Sequence, residues 1–168
     1  MQRRNWFTAS APLVVLALLG ACSTRATEAR PSDLVAEPAI HPVHTLFMDG
    51  IAAFNAHDLD VFMEQWGEDI EMYTPTGWLR GREAVRDRFL ATFRDFPDVR
   101  MDIEDLRVRD VAPGVAVVDF RWATYPRGAG PAYRGVGSGV YVRRGDRWVE
   151  VVEHETVVSA DEELRRGR

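Results

Sequence analysis

Near its end the chain reads Gly145-Asp146-Arg147-Trp148-Val149-Glu150-Val151-Val152-Glu153-His154-Glu155-Thr156. Gly145-Asp146 is a hairpin turn signal, and the apolar and β-branched residues after it predict a last strand from Arg147 to Val158. The strand is ambiguous in a useful way. Val149, Val151, Glu153 and Glu155 share one parity, while Trp148, Glu150 and His154 share the other. Either set can face a core, and each brings carboxylates with it.

Upstream of that hairpin the pattern is also β. Ala132 to Arg143 predicts one strand, Val115 to Tyr125 a long one, and Val99 to Val111 another, separated by Pro113-Gly114 and by a Gly-rich loop from Pro126 to Pro131. Gly135, Gly137 and Gly139 fall on one face of their strand, which implies close approach or cavity volume there. The first half of the domain is helical. Val43, Leu46, Phe47, Ile51 and Phe54 recur at three- and four-residue steps after Pro42. Asn55-Ala56-His57-Asp58 breaks this helix, and Asp58 caps a short second one through Trp66, with Leu59, Phe62 and Met63 inward. Ile70, Met72 and Thr74 alternate as a strand, Pro75-Thr76-Gly77 turns it, and Trp78 to Arg80 returns. A third helix opens after Gly81, carries Val85, Phe89, Leu90 and Phe93 as its stripe, and stops at Pro97. The expected fold is α+β: a curved, mostly antiparallel sheet with the helices on its concave face.

The N-terminus is of another kind. Arg3 and Arg4 precede an apolar run from Ala11 to Gly20, and Leu19-Gly20-Ala21-Cys22 follows. This reads as a secretory signal, and its last four residues resemble a bacterial lipobox. That resemblance implies removal of residues 1–21 and acylation of Cys22, the chain's only cysteine. A membrane-spanning anchor needs about 20 apolar residues, roughly twice what is present; an ordinary cleaved signal would leave Cys22 without purpose. Residues 22–40 read as a flexible tether, 41–158 as one domain and 159–168 as a charged, disordered tail. The expected location is the cell envelope, outside the cytoplasm. Ser23 after the cysteine favours the outer membrane where the cell has one. Net charge is −5, and all 21 basic residues are arginines spread along the chain, so no nucleic-acid partner is expected.

Two stretches carry a family resemblance. One runs Ala53-Phe54-Asn55-Ala56-His57-Asp58-Leu59-Asp60, then Glu68-Asp69-Ile70-Glu71-Met72, a Pro-x-Gly turn and Gly81-Arg82-Glu83-Ala84-Val85; the other is the ending quoted above. Together they resemble the SnoaL-like branch of the nuclear transport factor 2 superfamily. The resemblance implies a cone: a curved sheet wrapped around a helix, with a pocket at the open end. It leaves function open, because this fold hosts isomerases, cyclases, hydrolases and non-catalytic hubs.

The resemblance also implies roles for residues. Ketosteroid isomerases of this superfamily place a general-base Asp before the Pro-x-Gly turn, where this chain has Thr74, which cannot take up a proton near neutral pH. Aligned on that turn, Met72 and Thr74 line the pocket. Arg121 matches a pocket arginine of the calmodulin-dependent kinase association domain, which brings Asp119 to the same face, and the last strand contributes Glu153 and Glu155. Epoxide hydrolases of this fold activate water with such an acid–arginine–acid set. The ligand-binding candidates are therefore Met72, Thr74, Asp119, Arg121, Glu153 and Glu155; the candidates for catalysis are Asp119, Arg121, Glu153 and His154. The opposite parity would line the cone with Trp122, Trp148, Glu150 and His154. On the first parity, Val118, Phe120, Trp122 and Trp148 form an outer apolar patch that implies a homodimer. His41 and His44 lack a third ligand, so no metal is expected, and no cofactor motif is present. The expected function is a lipid-anchored envelope protein that binds a small hydrophobic molecule in its cone. The alternatives are a small-molecule isomerase, cyclase or hydrolase built on the Asp–Arg–Glu set, and a structural lipoprotein.

Overall fold

Asn55 and His57 tie the helical half of the chain to the sheet. In the computed structural model, which describes residues 39–128 and 132–161, the Asn55 side chain clamps Met101 twice. Its Nδ2 donates to Met101 O at 2.8 Å and its Oδ1 accepts from Met101 N at 2.7 Å. His57 takes a left-handed backbone (φ 58°), contacts Val99 O through Nε2 at 2.8 Å and stacks on Phe93. The helix break in the sequence thus sets where the strand after the third helix begins. The signal segment, Cys22, most of the tether and residues 162–168 lie outside the described residues.

The elements follow in the order α1 (Pro42–Asn55), α2 (Leu59–Phe62), a 3-10 turn (Met63–Gln65), β1 (Trp66–Thr74), β2 (Gly77–Arg80), α3 (Arg82–Asp95), β3 (Arg100–Ala112), β4 (Val115–Tyr125), β5 (Tyr133–Arg144) and β6 (Arg147–Ala160). The second helix is shorter than expected. The Arg82 guanidinium donates to Met63 O at 2.8 and 3.0 Å, and Trp66 is already paired with Glu150 in the sheet. The six strands are ordered β2-β1-β6-β5-β4-β3, and β1 runs parallel to β6 while the other pairs are antiparallel. Among the described residues no helix is long and apolar enough to cross a membrane.

Two apolar clusters fill the concave side. α1 packs Val43 and Phe47 onto Ala116, Val118, Phe120, Trp122 and Tyr141. Phe54, Phe62, Met63, Trp66, Ile70, Met72, Val85 and Phe89 form the second cluster under α2 and α3. Leu90, expected on the α3 stripe, is exposed instead, since Val85 and Phe89 already define the buried face.

This packing corrects the parity inferred for β4. Its even residues face the helices, so Val118, Phe120 and Trp122 are core, and Trp148 packs at the edge of the same cluster. They do not form an outer patch, and the ground for expecting a dimer through them is removed. The physical reason is plain: the opposite arrangement would bury Asp119 and Arg121 while exposing the aromatic rings. The three β5 glycines serve this inner face. A Cβ at Gly135 would strike the Trp122 ring, at Gly137 the Phe120 ring, and at Gly139 the Glu150 carboxyl. They are there for close approach, as expected.

Candidate functional site

The last strand resolves its own ambiguity with a bulge. Val140 pairs with Val152 but Tyr141 pairs with Glu150, so Val151 is the extra residue. One inserted residue reverses the alternation beyond it. Glu150 points inward before the bulge; Glu153 and Glu155 line the same interior after it. Each of the two parities open in the sequence holds for half of the strand.

Glu150, Glu153 and Glu155 line a closed chamber of about 20 Å³ together with Gln65, Phe47, Ile51, Phe54, Phe62, Trp66, Phe89, Met101 and Phe120. That volume suits about one water molecule. Glu150 is 1 % exposed and Glu153 6 %. The Tyr141 hydroxyl donates to Glu150 Oε2 at 2.8 Å and also lies 3.3 Å from Gln65 Oε1. Glu150 Oε1 and Glu153 Oε2 have no hydrogen-bond partner among the described residues.

Among the described residues no cation lines the chamber itself, and the nearest counter-charge stands on the wall of the space beside it. Arg88 of α3 reaches Glu155 Oε2 at 3.8 Å, with its side chain 31 % and that of Glu155 12 % exposed. Burial pushes Glu150 up to about 8; the charge of Glu155 adds to this and the Tyr141 hydrogen bond opposes it. Glu153 is held well above the usual carboxylate range by burial, then by Glu150 and Glu155, against Arg88. Glu155 is raised by burial, with Arg88 and then His154 opposing. Burial, then the charge of Glu150, also lifts the Tyr141 phenol well above its ordinary value. All three acids thus bind their protons more tightly than an exposed carboxylate does, as expected for acids removed from water with little counter-charge.

A wider cavity of about 360 Å³ adjoins the chamber, and Phe54, Phe89, Met101 and Glu155 line both. Its other walls are mainly Phe96, Val99, Trp122, Tyr133 and Val157, with Arg88 as its cation. This is the mouth of a cone whose closed end holds the acids.

Of the six ligand-binding candidates, the structure brings Glu153 and Glu155 to this interior. Met72 is buried in the second cluster and lines neither space. Thr74 caps the turn after β1, donating from Oγ1 to Gly77 O at 2.9 Å. Asp119 and Arg121 lie on the outer face, 48 % and 64 % exposed in their side chains, paired with Arg109 and Asp105. The Asp–Arg–Glu set does not assemble. His154 is exposed on the outer face too, edge-on to Tyr73, because the bulge reverses its parity relative to Glu150. His41 caps α1 through Nδ1 and meets Asp110 through Nε2. Among the described residues no group of three or more acidic, Cys or His side chains is arranged to hold a metal ion.

Sequence reasoning missed Arg88, Tyr141 and Gln65. Arg88 had a signal: it lies three residues after Val85 and four before Thr92, on the inner stripe of α3. Tyr141 follows Gly135, Gly137 and Gly139 at the same parity.

Residues 47–151 match the SnoaL-like domain family. The chain belongs to that family. No curated protein sequence matches it. The SnoaL-like domain superposes on an uncharacterised protein with a cystatin-like fold from Caulobacter vibrioides, with TM-score 0.63, 18 % identity, and 74 % of this chain and 92 % of that one covered. It also superposes on a hexachlorocyclohexane dehydrochlorinase from Novosphingobium barchaimii, with TM-score 0.62, 14 % identity and coverage of 71 % and 86 %. A nuclear transport factor 2-like protein of unknown function from Shewanella oneidensis follows at TM-score 0.53, 21 % identity, and 67 % and 94 % covered. At these identities the likeness is one of fold, and the α+β cone expected from the sequence is the fold observed.

Proposed function

We propose that this SnoaL-like domain binds a small, mostly apolar molecule in the mouth of its cone, and that it does so at the cell envelope, held by lipid on Cys22. The observation that carries the binding role is the 360 Å³ mouth with aromatic and aliphatic walls and the Glu155–Arg88 pair where it meets the closed chamber. Few polar groups in an apolar concavity is the usual composition of a small-molecule site. A purely structural lipoprotein has no need of such an opening.

A neutral, polarity-sensitive dye such as Nile red should bind the full chain with a blue-shifted emission. Thr124→Trp, which places a large ring on the wall of the mouth, should abolish that signal without loss of fold. Dye uptake unaffected by Thr124→Trp, or none by the wild type, overturns the binding role. For the anchor, Cys22→Ala should leave unprocessed precursor or a soluble product. An intact mass of the wild-type chain that carries no acyl group overturns it.

A second reading, an isomerase, cyclase or hydrolase of small molecules, retains one observation in its favour. Glu155, with raised proton affinity, lines the mouth beside Arg88, where it could exchange a proton with a bound molecule. It would show as solvent deuterium entering a bound apolar ketone in heavy water, lost in Glu155→Gln. No incorporation above the buffer rate counts against it.

A further inference from the structure

Arg88 is held on the wall of the mouth by loose contacts. Its Nη2 lies 3.8 Å from Glu155 Oε2, beyond hydrogen-bond length, and its Cζ stands 5.8 Å from the centre of the Phe89 ring. Glu155 and Phe89 line the mouth as Arg88 does, so both contacts place the guanidinium at that wall. The walls around it are mainly apolar, with Phe96, Val99, Trp122 and Val157 among them, and its side chain keeps 31 % exposure. An occupant of the mouth therefore takes water from Arg88. A charge stripped of water is costly unless new hydrogen bonds replace that water. A neutral apolar occupant leaves Arg88 with a contact too long to be one. A carboxylate meets a guanidinium with two parallel N–H···O bonds.

The same occupant dehydrates Glu155, and an acid removed from water holds its proton more tightly. The groups around Glu155 leave it little else to pair with. On its own strand, Glu150 and Glu153 share its interior, and the neighbouring His154, which favours its charge, is exposed on the outer face. From α3 comes Arg88; from β5, Tyr133 lines the mouth and Tyr141 donates to Glu150. The lining residues of the other elements carry no titratable group. We propose that the mouth takes apolar carboxylates, and that the ligand carboxylate replaces Glu155 on Arg88 while Glu155 takes up one proton from solvent. This rests on the mouth being the ligand site; it adds the chemical class of the ligand and couples its binding to a proton. The charges balance, because one anion and one proton enter together and Arg88 keeps a single counter-ion. An ammonium ligand would instead leave two cations to share Glu155.

Three probes with one two-ring body separate these cases: 2-naphthoate, 2-naphthamide and 2-naphthylmethylammonium. Titrated calorimetrically into the full chain at pH 6, 2-naphthoate should bind about tenfold more tightly than either of the others, the size expected of a charge-assisted hydrogen bond. Its affinity should fall about threefold or more between pH 6 and pH 8, as protons become scarcer, while that of 2-naphthamide stays as it was. Arg88→Met should bring 2-naphthoate down to the level of 2-naphthamide. Glu155→Gln removes the competitor and the proton acceptor together. It should bind 2-naphthoate at pH 8 as tightly as the wild type does at pH 6, with no change between the two values. That is a gain at pH 8, which a poorly folded variant does not produce. Equal binding of 2-naphthoate and 2-naphthamide, or tightest binding of the ammonium, overturns the proposal. So does an affinity for 2-naphthoate that is flat with pH in the wild type, or that falls as steeply in Glu155→Gln. Nile red keeps the two ideas apart. Dye bound without a carboxylate preference removes the exchange on Arg88 alone; no dye and no 2-naphthoate bound removes the ligand site together with it.

Discussion

The outer face of β3, β4 and β5 and the inner face of β6 are built from the same side chains and behave in opposite ways. Outside, Arg109–Asp119, Arg121–Asp105 and Arg134–Glu104 stand 3.5, 3.5 and 3.7 Å apart, each partner about half exposed or more. Inside, among the described residues, Glu150 and Glu153 have no ion-pair partner in reach, and Glu155 has only the looser contact with Arg88. Pairs in water contribute about 0–1 kcal/mol each, because solvent and salt screen them and the side chains lose freedom. Acids removed from water keep their protons instead. A carboxylate and an arginine on neighbouring strands are therefore weak grounds for a site, and an acid beside a tyrosine in a closed chamber is a stronger one.

The largest expected effect is on pH dependence. The unfolded chain releases the Glu150 proton near pH 4.3, and the folded chain holds it up to about 8. The native state thus binds more protons across that window. Stability contributed by the neutral acid is complete below about pH 4.3 and lost as pH rises through about 8, on the order of 4 kcal/mol if Glu150 acted alone. Denaturant melts at pH 5 and pH 8 should show that loss, and Glu150→Gln should recover at least half of it. A wild type equally stable at both values would mean that the inner acids are as solvated as the outer ones.

Close packing gives the next contrast, within a single strand. Gly135→Ala would drive a methyl into the Thr156 carbonyl oxygen and the Trp122 ring, and backbone cannot yield as a side chain can. A loss of about 3 kcal/mol is expected. Val136→Ala, one residue on and facing outward at 44 % exposure, should change stability by less than about 1 kcal/mol. Similar losses at the two positions would erase the distinction between the faces.

Tyr141→Phe probes the closed end alone. It removes the donor to Glu150 Oε2 and the contact with Gln65, at about 1–2 kcal/mol. Because that hydrogen bond holds the Glu150 value down, the loss of stability with rising pH should run on to higher pH in this variant. A titration of Glu150 by carbon-13 shifts that moves the other way breaks this account.

The smallest effect belongs to the outer face. Arg121→Ala should alter stability by no more than about 0.5 kcal/mol at both pH 5 and pH 8, since its side chain is 64 % exposed and its contact with Asp105 is solvated. A strongly pH-dependent loss would return Arg121 to the interior and reopen the Asp–Arg–Glu set.

The order of elements was legible in the residues themselves. Helix stripes such as Val43, Phe47 and Phe54, the Asp58 cap, the Pro75-Thr76-Gly77 and Gly145-Asp146 turns and the alternation of the strands are local signals, and local signals survive folding. The family match over residues 47–151 accords with the same patterns. Even the pairing of small with large was present, as Gly135, Gly137 and Gly139 opposite Trp122, Phe120 and Val118. What the chain alone left open was which face of each strand meets the helices. On β4 that was decided by the apolar rings of Phe120 and Trp122 finding α1, because burying them and leaving Arg121 in water is the cheaper arrangement. On β6 it was decided by one extra residue, Val151, which turns Glu150, Glu153 and Glu155 to the same side although no single parity contains all three. A bulge is a property of the register between two strands, so it is absent from either strand read by itself. Arg88 reaches Glu155 only because α3 packs across that stretch of sheet. The residue types and their spacing were in the sequence; the convergence of three acids on one interior, with a guanidinium beside the outermost, was made by tertiary contact.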